Sequence, residues 1–135
     1  MPGYWLLKTE PSDYSYHDLK KDNKTIWDGV SNNLALKHLR NMKKGDLAFI
    51  YHTGKERTLV GIVEVDSDPY PDPKHKDPKL AVVDVKAQQE LSRGVALKEI
   101  KSDSAFSDFL LVRLPRLSVM PVTPSQWKRL LAMAG

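Results

Sequence analysis

Residues 46–65 read DLAFIYHTGKERTLVGIVEV and decide the fold of this chain. Asp46–His52 and Thr58–Val65 are two nearly continuous apolar runs, and the segment Thr53–Arg57 between them is polar and contains a glycine. Runs of this length, separated by turn residues, predict two strands of a β-hairpin. Because neither run alternates strictly between apolar and polar residues, we expect both strands to lie in a sheet or barrel that is covered on most sides.

Further strands are predicted on both sides of this hairpin. Tyr4–Lys8 is aromatic and aliphatic, and it ends shortly before a proline, which disfavours both strand and helix in its neighbourhood. Thr25–Trp27 is expected to be a short extended piece, and the proline-rich segment Asp68–Pro78 a loop. The other predicted strands are Ala81–Ala87, with Val83 and Val85 on one face, Phe109–Val112 and Leu117–Val119.

Two helices are predicted to begin at capping boxes. Ser15, with Asp18 three positions later, can cap a short helix that runs to about Lys21. Thr123, followed by a proline and then by Gln126, begins the last helix of the chain. The packing face of that last helix is expected to consist of Trp127, Leu130, Leu131 and Ala134.

Another helix is expected from Asn32 or Asn33, either of which can serve as N-cap, to about Met42. The buried face of this helix is expected to include Ala35, Leu39 and Met42. Leu97–Lys101 suits a further short helix.

Strands predominate in the predicted order of elements, with short helices between them and one at the end. This order is typical of an α+β domain or of a barrel with helices.

The composition indicates a single domain over residues 1–135. No apolar run approaches the roughly 18 residues that a membrane span requires, and the first residues do not resemble a signal peptide. The chain contains no cysteine, which excludes disulfides, thiol catalysis and thiolate metal sites. We therefore expect a cytoplasmic protein that uses no metal and no cofactor and does not associate with membranes.

The positive charge balance favours an anionic partner. The formal net charge is +4 and the pI is about 9.2. Nucleic acid is the commonest partner of a basic face, although a solvated surface would give the same balance. The cations that we expect to contact a nucleic-acid backbone are Lys37, Arg40, Lys43 and Lys44.

The segment from Trp27 to Asn32 suits the wall of a small pocket. The indole ring of Trp27 offers a flat stacking face, and Asp28 and Asn32 offer hydrogen bonds. Gly29 lets the backbone turn or approach a ligand closely. The alternative is that Trp27 is a buried core residue ahead of a turn, which is the commoner situation for a single tryptophan.

Catalytic patterns are weak in this sequence. The four histidines are scattered, and there is no glycine-rich phosphate loop and no nucleophile elbow. Asp28 and His52 could in principle form an acid–base couple, but the sequence does not fix the distance between them. A binding pocket is therefore better supported than an enzymatic site.

Four segments, in this order along the chain, resemble the EVE domain family, which belongs to the PUA-like superfamily and is related to YTH domains. The resemblance implies a PUA-like β-barrel of about five to six strands flanked by short helices. It also implies non-catalytic recognition of a modified nucleobase in DNA or RNA, with the base inserted into an aromatic-walled pocket. The segments are Tyr4–Pro11, Trp27–Asn32, Met42–Val65 and Arg116–Thr123.

The resemblance also implies which residues form the pocket. Trp27 would be a stacking wall, with Asp28 beside it, and Asn32 would point its amide at the edge of the base. Where the family carries a tryptophan that could form a second wall, this chain has Leu80, and Ser31 replaces an arginine. The other matching positions are Lys8, Thr9, Tyr51, His52, Arg116 and Ser118.

Two alternative functions stay open at this point. The same pocket could bind a free nucleotide or another small planar ligand, or belong to an enzyme acting on it. The chain could also be an interaction module with a vestigial pocket, which the replacement by Leu80 would permit. The sequence does not choose between DNA and RNA, does not name the base modification and leaves the oligomeric state open.

Overall fold

A computed structural model describes residues 3–135, which form an α+β domain built on one curled sheet. The helices are α1 (Tyr16–Asp22), α2 (Asn33–Arg40), α3 (Leu97–Lys101), α4 (Leu110–Arg113) and α5 (Pro124–Met133). The strands are β1 (Tyr4–Thr9), β2 (Lys24–Trp27), β3 (Leu47–His52), β4 (Thr58–Val65), β5 (Tyr70–Pro71), β6 (Ala81–Ala96) and β7 (Val119–Pro121).

The sheet follows the order β2-β6-β4-β3-β1-β7, and β5 pairs with β6 outside this path. The strands β1 and β3 run parallel, and the other pairs are antiparallel. The sheet is curled like half a barrel, so its two terminal strands, β2 and β7, form two edges. This arrangement confirms the predicted α+β class and the PUA-like fold, with seven strands in place of the expected five to six.

The core lies against β1, β3 and β4, as the apolar runs of the sequence predict. The β3–β4 hairpin is confirmed, and most of its residues are buried. Trp127 of α5 stacks on Tyr4, with 4.5 Å between ring centroids, and lies 4.1 Å from the ring of Phe49. Trp5 is buried too, and its indole nitrogen donates to the carboxylate of Asp46 at 2.9 Å. The helix α5 therefore packs against the middle of the sheet through Trp127.

The predicted helix caps are confirmed because each depends on residues only a few positions apart. Both capping boxes form, one between Ser15 and Asp18 and the other between Thr123 and Gln126. Asn32 caps α2 by accepting from two main-chain N–H groups. This helix ends at Arg40, about two residues before the predicted end. Leu97–Lys101 is helical as predicted.

The prediction of a strand over Phe109–Val112 is wrong. Residues Leu110–Arg113 form α4, and the N–H groups of Val112 and Arg113 both donate to the carbonyl of Phe109. A short apolar run fits a strand or a helical turn equally well, and here a 3-10 turn at Ser104–Phe106 ends three residues before the helix begins. The two hydrogen bonds to the carbonyl of Phe109 therefore make this segment a helical turn.

Three other boundaries differ from the predictions. The strand predicted over Ala81–Ala87 continues to Ala96, because its polar second half still pairs with β4. The last strand begins at Val119, two residues later than predicted. Leu131 is 38% exposed and does not belong to the packing face of α5, which holds Trp127, Leu130 and Ala134. Within residues 3–135, no helix has the length and apolar character needed to cross a bilayer.

Candidate functional site: a cavity between the two edges of the sheet

A cavity of about 470 Å³ lies where the curled sheet brings its two edges together. One wall is the edge strand β2 and the residues after it. The opposite wall is the end of β1 and Ser118, which precedes β7. The lining residues are Lys8, Thr9, Tyr14, Thr25, Ile26, Trp27, Asp28, Gly29, Val30, Lys74 and Ser118. Five of the residues expected at the pocket therefore lie here together, namely Lys8, Thr9, Trp27, Asp28 and Ser118.

Trp27 is the last residue of β2 and forms a wall of the cavity. It is only 7% exposed and packs with the core on its other side. Trp27 is thus both a wall of the cavity and a buried core residue, the two alternatives that the sequence left open. Gly29, two residues later, has a φ of 80°, which a residue with a side chain rarely adopts. This turn leads the chain from the wall of the cavity towards α2.

The opposite wall is held in place by hydrogen bonds. The N–H of Lys8 donates to the carbonyl of Ser118 at 3.0 Å, and the hydroxyl of Thr9 donates to the carbonyl of Tyr14 at 2.7 Å. The ammonium group of Lys8 donates to the carbonyl of Pro115 at 2.8 Å. Burial lowers the pKa of Lys8. The hydrogen bond to Pro115 therefore holds the amine of Lys8 at the rim of the cavity.

Asp28 and Lys74 lie on the side of β2. The Nζ of Lys74 is 3.8 Å from a carboxylate oxygen of Asp28, and both side chains are exposed. An exposed pair at this distance contributes little to stability, about 0–1 kcal/mol. The carboxylate of Asp28 is therefore accessible to a ligand in the cavity.

Several lining residues were not predicted from the sequence. Thr25 could have been found, because it lies two positions from Trp27 on the same strand and therefore on the same face. Tyr14 donates its phenol to Asp22 at 2.8 Å, and burial, together with this hydrogen bond, raises the pKa of Tyr14 to about 12. Lys74 reaches the cavity from the proline-rich loop, where no local pattern marks it. The remaining two are Ile26 and Val30.

Tyr51 and His52 lie outside this cavity. Tyr51 lines a neighbouring depression, with the Nζ of Lys8 5.6 Å from the centre of its ring, and burial raises the pKa of Tyr51. His52 is buried, and its Nε2 accepts the main-chain N–H of Tyr16 at 3.0 Å. Since a main-chain N–H can only donate, the proton of this ring is on Nδ1, which donates to Glu56 at 2.8 Å. Both ring nitrogens are thus used, and His52 does not form a couple with Asp28.

Asn32, Arg116 and Leu80 also lie away from the lining of the cavity. The side-chain oxygen of Asn32 accepts the N–H groups of Leu34 and Ala35 at 3.0 and 3.1 Å, as the cap of α2. Asn32 and Arg116 line a separate, mostly apolar depression of about 360 Å³. Leu80 is half-buried against the core, directly before β6. Contact of these three side chains with a ligand stays a prediction.

The predicted backbone-binding cations are exposed on α2 and in the turn after it. The guanidinium of Arg40 donates to the carbonyl of Lys79. Lys43 and Lys44 lie just before β3, whose first residues pair with the start of β1. They are therefore at the end of β1 opposite Lys8, and the four residue steps from Tyr4 to Lys8 span about 13 Å. Phosphate contact by these cations stays a prediction.

Within residues 3–135, no three histidine, cysteine, aspartate or glutamate side chains lie close enough together to hold a metal ion.

The family model of the EVE domain matches residues 3–133, and the chain belongs to the EVE domain family. Human thymocyte nuclear protein 1 is 30% identical to the chain over 167 aligned residues, which cover 98% of this chain and 74% of the relative.

Solved structures agree with this assignment. Protein Rpa0253 from Rhodopseudomonas palustris has a TM-score of 0.94 and 38% identity, covering 98% of this chain and 93% of its own. Human THYN1 protein, solved in complex with 5-methylcytosine containing DNA, has a TM-score of 0.90 and 31% identity, covering 98% and 97%.

Proposed function

We propose that this protein is a non-catalytic reader of a modified base in DNA, and that 5-methylcytosine is the first base to test. The observation that carries the proposal is the cavity between the sheet edges, with Trp27 as one wall. The similarity to the human protein solved with 5-methylcytosine containing DNA supports the choice of ligand. The base enters the cavity after it leaves its stack, because neighbouring bases cover both of its faces inside a duplex.

The lining of the cavity suits a methylated base. Stacking of a base on an aromatic ring contributes about 1–3 kcal/mol. Ile26 and Val30 add apolar surface next to Trp27, and burial of one methyl group contributes about 0.8 kcal/mol. A volume of about 470 Å³ also lies within the range of small-ligand sites. These contributions favour a methylated base without any covalent step.

Asp28 is the group that we assign to the edge of the base. Cytosine presents an amino group at position 4, which a carboxylate accepts, whereas thymine presents a carbonyl there and repels it. 5-Methylcytosine and thymine share the methyl group, so this edge alone distinguishes them. The carboxylate of Asp28 lies beside Trp27 and is accessible.

We propose a non-catalytic protein because Asp28 and His52, the candidate acid–base couple, are not placed to act together. Both ring nitrogens of His52 are bonded within the protein, and His52 does not line the cavity that Asp28 lines. The preference for DNA over RNA rests on the human complex. The cytoplasmic location stays a prediction from the sequence.

A binding panel tests the proposal. Labelled single-stranded DNA with one central cytosine, 5-methylcytosine, 5-hydroxymethylcytosine or thymine is titrated, together with the matching RNA and the free nucleosides. We expect the tightest binding to the 5-methylcytosine DNA. Equal affinity for cytosine and 5-methylcytosine would overturn the proposal. Binding of the free nucleoside as tightly as the oligonucleotide would favour a small-molecule binder, and turnover of the base would favour an enzyme.

A further inference from the structure

A groove next to the base cavity crosses the β3–β4 hairpin and α3. It consists of two depressions, of about 350 and 490 Å³, and Arg57, Leu97 and Lys101 line both. Lys8 lines the first depression and also the base cavity. A ligand can therefore extend from the cavity past Lys8 into this hairpin groove, which we define by the five cations Lys8, Lys55, Arg57, Lys98 and Lys101.

We propose that the hairpin groove binds the phosphates that flank the modified base, so that the DNA strand leaves the cavity over the β3–β4 hairpin. This inference rests on the proposed function, because it takes the base in the cavity as its starting point. It differs from the sequence-based prediction, which assigned the phosphates to Lys37, Arg40, Lys43 and Lys44 on the side of α2.

The charges that line the hairpin groove suit a polyanion. The first depression contains Lys8, Arg57 and Lys101 and no carboxylate in its lining. The second adds Lys55 and Lys98, and its one carboxylate, Glu56, accepts from the imidazole of His52 at 2.8 Å. Within residues 3–135, none of the five cations is paired with a carboxylate within 4.0 Å. Lysine and arginine in this arrangement are the groups that neutralise phosphates.

The backbone of Arg57 is a second, independent observation. Its φ is 45°, in the left-handed region that glycine and asparagine adopt more readily than arginine. The carbonyl of Arg57 accepts the N–H of Leu97 at 2.8 Å, and its Nε donates to the carbonyl of Gly54 at 3.3 Å. The fold thus holds an arginine in an unfavourable conformation where the hairpin meets α3. Such positions concentrate at binding sites, and an arginine held there is suited to contact a phosphate.

The position of the groove also separates it from the α2 side. The hairpin follows β3, whose last residues, Tyr51 and His52, pair with Lys8 and Thr9. The groove is therefore at the end of β1 that faces the cavity. Lys43 and Lys44 precede β3 and lie at the other end of β1. A strand with its base in the cavity reaches the hairpin groove within a few nucleotides.

The test compares two double variants in which the same number of cations is removed. Arg57→Asn with Lys101→Gln changes the groove, and Asn tolerates the left-handed backbone at position 57. Lys37→Gln with Lys43→Gln is the matched control on the α2 side. Affinity for single-stranded 5-methylcytosine DNA is measured from about 50 to 200 mM salt, a range over which phosphate contacts change affinity strongly. Affinity for free 5-methyl-2′-deoxycytidine, which has no flanking phosphate, is measured in parallel.

We expect the log–log salt slope of the groove variant to become shallower by about 1.4, that is, about 0.7 for each of two lost contacts. Its affinity for the free nucleoside and its preference for the methylated base should be retained. The α2 variant should keep the slope of the parent protein. Thermal melting checks the fold, and Lys98→Gln with Lys101→Gln replaces the groove variant if the change at Arg57 prevents folding.

An unchanged slope in the groove variant overturns the inference, as does a shallower slope in the α2 variant alone. Failure of the proposed function gives a different result. In that case the parent protein does not prefer the methylated oligonucleotide, and yet the groove variant still lowers the slope. The groove would then stand as a phosphate site of a protein that binds DNA without reading the modification.

Discussion

Trp27 and Trp127 are almost equally buried, and yet their rings have different neighbours. The exposed fractions are 7% for Trp27 and 5% for Trp127. The ring of Trp127 lies against two aromatic rings, those of Tyr4 and Phe49, in the middle of the core. Trp27 closes the edge strand β2 and lines the cavity. The exposed fraction therefore does not distinguish a tryptophan inside the core from one that lines the cavity.

The two tryptophans have different neighbours because they lie at different places relative to the sheet. Trp127 packs on β1 and β3, which are neighbours inside the sheet. Trp27 is on the terminal strand of the sheet order, across the gap from Lys8 and Ser118. A half-barrel brings its two edges near each other without joining them, and the space between the edges forms the cavity. Truncation of the two rings should consequently affect different properties of the protein.

Trp127→Ala should have the largest effect, on stability. Loss of a ring that is stacked in the core removes apolar contacts and leaves a cavity, so we expect the free energy of unfolding to fall by about 3–5 kcal/mol. Urea denaturation followed by circular dichroism measures this value. Trp127→Phe serves as control, because it keeps an aromatic contact with Tyr4 and should cost less. A loss below about 1 kcal/mol for the alanine variant would mean that Trp127 does not stabilise the core as proposed.

Trp27→Ala should chiefly affect binding. We expect the affinity for 5-methylcytosine DNA to fall by the stacking contribution, about 1–3 kcal/mol. The free energy of unfolding should fall by less than in Trp127→Ala, because one side of the ring already faces the cavity. Titration and denaturation of the same preparations decide this, with Trp27→Tyr as a control that keeps a stacking face. Equal loss of stability in both alanine variants would make Trp27 a core residue.

The sequence predicts those features that depend on residues close together in the chain. The capping boxes at Ser15 and Thr123 and the β3–β4 hairpin are of this kind. The apolar run at Phe109–Val112 fits two conformations, and only its neighbours select the helix. Periodicity also gives no information on where the polar second half of β6 pairs, which depends on the bent partner strand β4.

The candidate site is less predictable, because its walls come from distant parts of the chain. Family resemblance placed Lys8, Trp27 and Ser118 in one site, but nothing local in the sequence indicates that the edges of the sheet meet there. The contact of Lys74 with Asp28 depends on the path of the proline-rich loop. Resemblance also gives no information on side-chain use, and Asn32, which was expected at the base, bonds with the N-terminus of α2.

Asp28→Ala extends the comparison of the two tryptophans to the residue beside Trp27. It tests what the carboxylate of Asp28 adds to the stacking of the base on the indole ring. Loss of the carboxylate should reduce the preference for 5-methylcytosine over thymine by about 1.5 kcal/mol, roughly tenfold, the lower range for a hydrogen bond to a charged group. Competition titrations with the two oligonucleotides measure this ratio. Lys74→Gln is the control, since it removes only the exposed cation. An unchanged ratio in the Asp28→Ala variant would mean that another group reads the amino edge.

The smallest effect is expected for Leu80→Trp. The family resemblance places this residue at the base, whereas the structure places it outside the lining of the cavity. A second aromatic wall at this position would add stacking and raise affinity for the modified base by about 1–2 kcal/mol. However, Leu80 packs against the core and does not line the cavity. We therefore expect the binding free energy of the folded variant to change by less than about 0.5 kcal/mol, well below the stacking contribution of about 1–3 kcal/mol. Titration with 5-methylcytosine DNA, after a melting curve has verified folding, measures the change. A tenfold gain or loss would place Leu80 at the base after all, and the cavity would then have a second wall opposite Trp27.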